Sequence, residues 1–218
     1  MRINLLVGGP VESWPEDLLE GRGEDEAWVG ADKGAVRLCE AGIRPLLSIG
    51  DFDSSTNRER YLVDVMSREV LTSVPEKDDT DTELCLRLIE ERFHPEQITV
   101  YGATGGRIDH LLANLFCLLR PDFHALLPKV EFVDECNVIR FYHPGSYEIR
   151  RIEGMRYLAF VSMGPVLDLN LYDEKYRLRH ADIPRVISLA SNEFMSSVAH
   201  FSFAGGNVCV IWSRDRTR

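Results

Sequence analysis

Carboxylates dominate the residues of this chain that could do chemistry. Asp51 and Asp53 lie in Gly50-Asp51-Phe52-Asp53-Ser54, and Asp78 and Asp81 lie in Lys77-Asp78-Asp79-Thr80-Asp81-Thr82-Glu83. Each segment follows an apolar run of the kind that forms a buried β-strand. Two carboxylates about 4 Å apart repel by roughly 4 kcal/mol at an effective dielectric near 20, so a fold that gathers several needs a cation among them. With oxygen ligands only and no neighbouring Cys or His pair, the fitting cation is hard Mg²⁺. That ion takes one or two carboxylates and completes its octahedron with water and substrate phosphates. The chemistry indicated is phosphate handling.

A third segment, Gly102-Ala103-Thr104-Gly105-Gly106-Arg107-Ile108-Asp109-His110, supplies what a phosphate needs from the protein. It is a glycine-rich turn opening a helix, where unpaired N–H groups and the helix dipole favour an anion. Arg107 offers a forked contact and Asp109 a further carboxylate. The lysine and Ser/Thr of a P-loop are absent, and neither this turn nor Val7-Gly8-Gly9-Pro10 spells the dinucleotide fingerprint. Structural roles compete at each place. Thr80 and Glu83 have the spacing of a capping box, Asp53 or Ser54 suits a helix N-cap, Asp32-Lys33-Gly34 suits a plain strand-to-helix turn, and His110 suits a helix surface. Repetition favours function: successive strand ends each carry a polar cluster, where a bland turn needs only one Asp or Gly.

The elements that must position these residues divide near residue 135. Before it, strands are expected at 3–7, 27–31, 45–49, 69–74, 97–101 and 130–133, with helices at 33–41, 55–67, 80–92 and 107–120, the βαβ rhythm of a covered, mostly parallel sheet. In such sheets ligands bind at the carboxyl ends of the strands, where all three clusters fall. After residue 136 the pattern changes to short β-rich runs separated by turn residues, which predicts an all-β sandwich or barrel. The expected domains are therefore 1–135, α/β and catalytic, and 136–218, a β-sandwich.

Composition narrows the function classes. The chain has 218 residues, 44% hydrophobic, with a net charge of −10. A phosphate backbone demands a basic face, so nucleic acid is excluded as principal partner. No apolar run approaches the roughly 20 residues that span a bilayer, and the short N-terminal apolar stretch runs straight into glycines, unlike a signal peptide. The five cysteines have no C-x-x-C spacing and read as core residues of a cytoplasmic protein. The six histidines lack metal spacing, and Trp14, Trp28 and Trp212 read as packing residues.

Taken in order, Gly30-Ala31-Asp32-Lys33-Gly34, Gly50-Asp51-Phe52-Asp53-Ser54, Lys77-Asp78-x-Thr80-Asp81 and Gly102 through His110 resemble the thiamine pyrophosphokinase family. Ser191-Asn192-Glu193-Phe194 and Trp212-Ser213-Arg214-Asp215 are similar to its C-terminal portion. The resemblance implies a homodimer with active sites at the subunit interface and Mg²⁺-dependent transfer of pyrophosphate from ATP to the hydroxyl of thiamine, releasing AMP. It implies that Asp51, Asp53 and Asp81 carry the metal, with Asp78, Arg107 and Asp109 also catalytic. Asp32, Lys33, Ser54, Lys77, Thr80, Gly105, Gly106, Arg107 and His110 would surround the nucleotide, and Ser191 and Asn192 the thiamine. Lys33 stands where many members carry glycine. Asp78 and Asp109 both remain candidates for the proton acceptor. The rival readings are a pyrophosphokinase of the same fold acting on a pterin alcohol, and a non-catalytic nucleotide-binding module.

Overall fold

The computed structural model describes residues 1–21, 26–72 and 79–216. It contains two compact units, Met1–Glu135 and Cys136–Arg218. The first alternates strands and helices: β1 (Arg2–Leu6), β2 (Trp28–Ala31), α1 (Lys33–Glu40), β3 (Leu47–Gly50), α2 (Asn57–Met66), β4 (Val70–Thr72), α3 (Asp81–Phe93), β5 (Gln97–Tyr101), α4 (Ile108–Phe116) and β6 (Val130–Val133). The strands pair in parallel in the order β6-β5-β1-β2-β3-β4. Chain order therefore runs outward from β1 in one direction and then restarts at β5 on its other side. That reversal opens a crevice at the carboxyl ends of β1 and β5.

Local sequence explains these elements. Every residue of β2 and β3 is buried, as a sheet covered on both faces requires. One face packs Leu6, Trp14, Leu18, Trp28 and Leu38 together, and another cluster joins Ala35, Val36, Cys39, Phe52 and Val63. Helix α3 begins with the expected capping box: the Thr80 side chain accepts from the Glu83 N–H while Glu83 reaches back to Thr80. The expected helix at 107–120 stops at Phe116 and tightens into a 3₁₀ turn at Cys117–Leu119. Pro121 disfavours helical geometry at Arg120, which is extended (ψ 144°).

The second unit is antiparallel throughout: β7 (Asn137–Tyr142), β8 (Gly145–Arg150), β9 (Tyr157–Ser162), β10 (Val166–Leu171), β11 (Leu178–Ile183), β12 (Ile187–Glu193), β13 (Val198–Phe203) and β14 (Val208–Ser213). Strands β12-β9-β14-β7 form one sheet face and β11-β10-β13-β8 the other. Phe201 of β13 meets Phe160 of β9 and Tyr142 of β7 edge-on, both with centroids 5.2 Å apart. Trp212 of β14 is fully buried and donates from its indole N–H to the Arg150 carbonyl of β8 at 3.0 Å. Aromatic rings thus join the two faces into a sandwich.

Candidate active site

A cavity of about 690 Å³ opens in the first unit, bounded by the segments that follow β1, β2 and β5 and by the N-terminal turns of α3 and α4. It is large enough for a nucleotide-sized ligand. The segment after β1 is drawn close to the glycine-rich turn, with the Gly9 N–H donating to the Gly102 carbonyl at 2.9 Å. A Cβ on Gly9 would stand 2.0 Å from that oxygen, so no larger residue fits. Arg37 closes the loop from outside, donating to the Gly9 carbonyl at 2.6 Å while lying over the Trp14 ring.

Asp32 leaves β2 with φ 46° and ψ −117°, a conformation that costs a non-glycine residue of order 1–3 kcal/mol. Its N–H donates to the Ile49 carbonyl at 2.8 Å, and its carboxyl presses on Gly50, where a Cβ would come within 1.9 Å of Oδ1. That Oδ1 is buried with no hydrogen-bond partner. Burial first, then the neighbouring carboxyl of Asp81 and the charge of Asp51, raise the Asp32 pKa to about 7, against a lowering contribution from the Phe52 amide. A carboxyl held in this way needs either a proton or a cation.

Asp81 opens α3 and lines the cavity with Thr80. Its placement is secured by Asp79, whose carboxylate accepts from Arg87 at 2.9 Å and Arg120 at 3.1 Å. Both guanidiniums also bind Asp122 at 2.9 Å and lie over the Phe123 ring. Asp79 is thus spent on structure while Asp81, two residues on, faces the cavity.

Asp51 and Asp53 lie beside this wall, outside the cavity lining. The Asp51 carboxylate accepts from the Asp53 N–H at 2.9 Å, closing a tight turn, and Asp53 is exposed. Phe52 between them is buried despite φ 52°, and Arg60 donates twice to its carbonyl. The cap of α2 is neither Asp53 nor Ser54 but Thr56, in a full capping box with Glu59, which leaves Asp53 and Ser54 exposed on the turn. Lys33 is paired with Glu59 at 2.9 Å and is not among the residues that line the cavity. Lys77 and Asp78 fall outside the described residues.

The glycine-rich turn has left-handed Gly102 (φ 72°) and Gly105 (φ 80°). Arg107 occupies the N-cap position of α4 with no side-chain cap, so the first N–H groups of the helix have no such partner. Arg107, Asp109, His110 and Gly106 all line the cavity. Arg107 and Asp109 form a forked ion pair, which holds the Asp109 carboxyl below its usual range. Both are largely exposed (73% and 64%), and such pairs contribute about 0–1 kcal/mol, so the pair costs little to break.

In the second unit, Ser191 is exposed at φ 60° on β12. Asn192 is 2% exposed and turned into its own backbone: Oδ1 accepts from the N–H groups of Tyr176 and Glu193, and Nδ2 donates to the Tyr176 carbonyl. Asn192 shapes the strand on which Ser191 is displayed.

Among the described residues, no three Asp, Glu, His or Cys side chains form a closed metal site. The orphaned Oδ1 of Asp32 and the neighbouring Asp81 nevertheless suit a divalent cation that keeps most of its shell for water and substrate oxygens. Residues that the sequence reading left out of the site also face the cavity: Gly8 and Gly9 after β1, Thr104 in the turn, and Asn114 one turn beyond His110 on α4. The glycine pair was visible as a strand-end signal, but Asn114 has none beyond helical spacing from His110.

Residues 23–127 match the family described as thiamin pyrophosphokinase, catalytic domain, and residues 146–208 match thiamin pyrophosphokinase, vitamin B1 binding domain. The thiamine pyrophosphokinase of Bacillus subtilis (strain 168) is 37% identical over 215 residues, covering 98% of this chain and 99% of that protein. A thiamin pyrophosphokinase family protein from Enterococcus faecalis superposes with a TM-score of 0.92 at 39% identity, covering 99% of this chain and all of its own. A crystal structure of a protein from Lactobacillus plantarum does so with a TM-score of 0.90 at 44% identity and the same coverage.

Proposed function

The chain belongs to the thiamin pyrophosphokinase family and acts as a thiamine pyrophosphokinase, and from that premise we propose that it transfers the pyrophosphoryl group of ATP to the hydroxyl of thiamine, releasing AMP, with Mg²⁺ as the cation. The observation that carries this reading is the cavity in which Asp32 and Asp81 face a glycine-rich turn bearing Arg107. Neither the pterin alcohol nor the non-catalytic reading is favoured beside the vitamin B1 binding match at 146–208.

Asp81 and Asp32 would hold Mg²⁺, with Asp51 and Asp53 adjoining. Bound there, the ion would neutralise triphosphate charge and offset the burial and the carboxylate repulsion that together raise the Asp32 pKa. The protein's own work is positioning. Thr80 and the turn from Gly105 to His110 lie around the phosphates, with Lys77 and Lys33 as flanking cations. The thiamine hydroxyl oxygen bonds to the β-phosphorus, the bond from that phosphorus to the α,β-bridging oxygen breaks, and AMP leaves with the oxygen. The hydroxyl proton passes to Asp109 or Asp78. Asp109 is a poor base while Arg107 holds it, so movement of Arg107 onto phosphate both neutralises charge and frees the carboxylate.

Thiamine belongs to the second unit, where Ser191 offers an exposed hydroxyl and Asn192 keeps β12 in shape. We place the working site between two subunits of a homodimer, a shared cleft that keeps water from ATP. No helix among the described residues is long and apolar enough to cross a membrane, and the five cysteines are free thiols, in keeping with a cytoplasmic enzyme. Chromatography of a reaction supplied with thiamine and MgATP should show AMP and thiamine diphosphate in equal amounts. ADP with thiamine monophosphate would overturn the proposal.

A further inference from the structure

Helix α4 is turned opposite to an ordinary amphipathic surface helix. Ile108, Leu112 and Phe116, spaced four apart, are 72%, 41% and 49% exposed, while the buried residue of the helix is Asn114, 7% exposed. Burying a carboxamide is costly unless it is hydrogen-bonded. Asn114 meets that requirement by donating from Nδ2 to the Ala103 carbonyl at 3.1 Å. The next residue is pinned as well, the Thr104 hydroxyl donating to the buried carboxylate of Asp134 at 2.6 Å. Asn114, Ala103 and Thr104 all line the cavity. The Ala103 carbonyl and the Thr104 N–H share one peptide plane and point in opposite directions when that peptide is trans, and no peptide among the described residues is cis. The direction that Asn114 imposes on the carbonyl therefore also sets the direction of the N–H.

We propose that Asn114 is a positioning residue for the nucleotide: acting through Ala103, it fixes the 103–104 peptide and so the face that the glycine-rich turn presents to the triphosphate, with Asp134 as the second anchor. The inference rests on the ATP-dependent reading above and adds to it the means by which the turn is held ready before substrate arrives. Donors aimed in advance need no reorganisation on binding. Without the two anchors, a turn with left-handed glycines at 102 and 105 has the backbone freedom to rotate its peptides away.

The test is Asn114→Asp, which keeps size but sets a carboxylate oxygen against the Ala103 carbonyl. We expect KM for MgATP, and Kd for a non-hydrolysable MgATP analogue measured by calorimetry, to rise about tenfold, the factor for one ordinary hydrogen bond, with KM for thiamine unchanged. Thr104→Val, which removes the other anchor, should shift the same two quantities in the same direction and decides the matter if the first variant does not fold. Wild-type affinity for the analogue in either folded variant, or equal rises in both KM values, would overturn the inference. Wild-type enzyme assayed alongside separates the two claims: ADP as its product would remove the pyrophosphoryl reading, while the analogue affinities still judge Asn114.

Discussion

Replacing Glu174 by Gln should remove a pH-dependent weakness of the second unit. Glu174 is 1% exposed; its Oε2 accepts from the Asp173 N–H at 3.1 Å and its Oε1 is buried without a partner. Burial, with a smaller push from the Asp173 charge, raises its pKa from an ordinary 4.5 to about 7, while His200 acts in the lowering direction. A folded-state pKa above the unfolded value means stability is complete below pH 4.5 and lost as pH rises through 7. At about 1.4 kcal/mol per unit, the full loss is about 3 kcal/mol. His200 contributes in the same direction, because its bond to Asp173, aided by Glu148, raises its pKa. That contribution persists in the variant, so the difference between the proteins isolates Glu174. Thermal unfolding at pH 4.5, below which the penalty is absent, should find the two within about 1 kcal/mol of each other. At pH 9 the variant should melt several degrees higher, at about 2–4 °C per kcal/mol for a chain of this size. Parallel melting-point profiles from pH 5 to 9 would refute the reasoning.

Other perturbations address the site. Asp81→Asn removes one of the facing carboxylates, so turnover should fall by about a hundredfold or more while the metal-free protein melts no lower than wild type; a variant with near-normal turnover at saturating Mg²⁺ would contradict the metal assignment. Arg107→Ala deletes an exposed ion pair and should change stability by less than about 0.5 kcal/mol, yet lower kcat more than it raises KM for thiamine, a split that steady-state kinetics reads directly. If sites are shared between subunits, mixing Ser191→Ala with Asp53→Asn protein should restore activity above that of either alone, and a fully active monomer in sedimentation would exclude the arrangement.

Much of the first unit was legible because its strands are buried on both faces and its helices carry local signals. The β2 and β3 runs and the Thr80–Glu83 box each point to one structure. Strands β11 and β12 carry weaker sequence signals for the opposite reason. Arg179, His180 and Asp182 put charge along the first, most of the second is exposed, and both pair with register shifts. At the strand ends, the clusters fall where the cavity opens, but residue type could not say which carboxylate faces inward. Asp79 is taken by Arg87 and Arg120, Asp51 by the Asp53 N–H, and Asp32 is drawn to Asp81 by the backbone conformation after β2. Asn114 was hidden because a polar residue among exposed apolar neighbours has no meaning until the helix is rotated into place.

The central claim is that the β-phosphorus of ATP, with the γ-phosphate still attached, ends on the thiamine hydroxyl. Purified enzyme given thiamine and MgATP labelled at the β-phosphate tests it directly, because two successive γ-transfers would also make thiamine diphosphate but would leave that label behind. The account predicts all transferred β-label in thiamine diphosphate and unlabelled AMP as the nucleotide product. Label retained in ADP, with unlabelled thiamine phosphates, would contradict it.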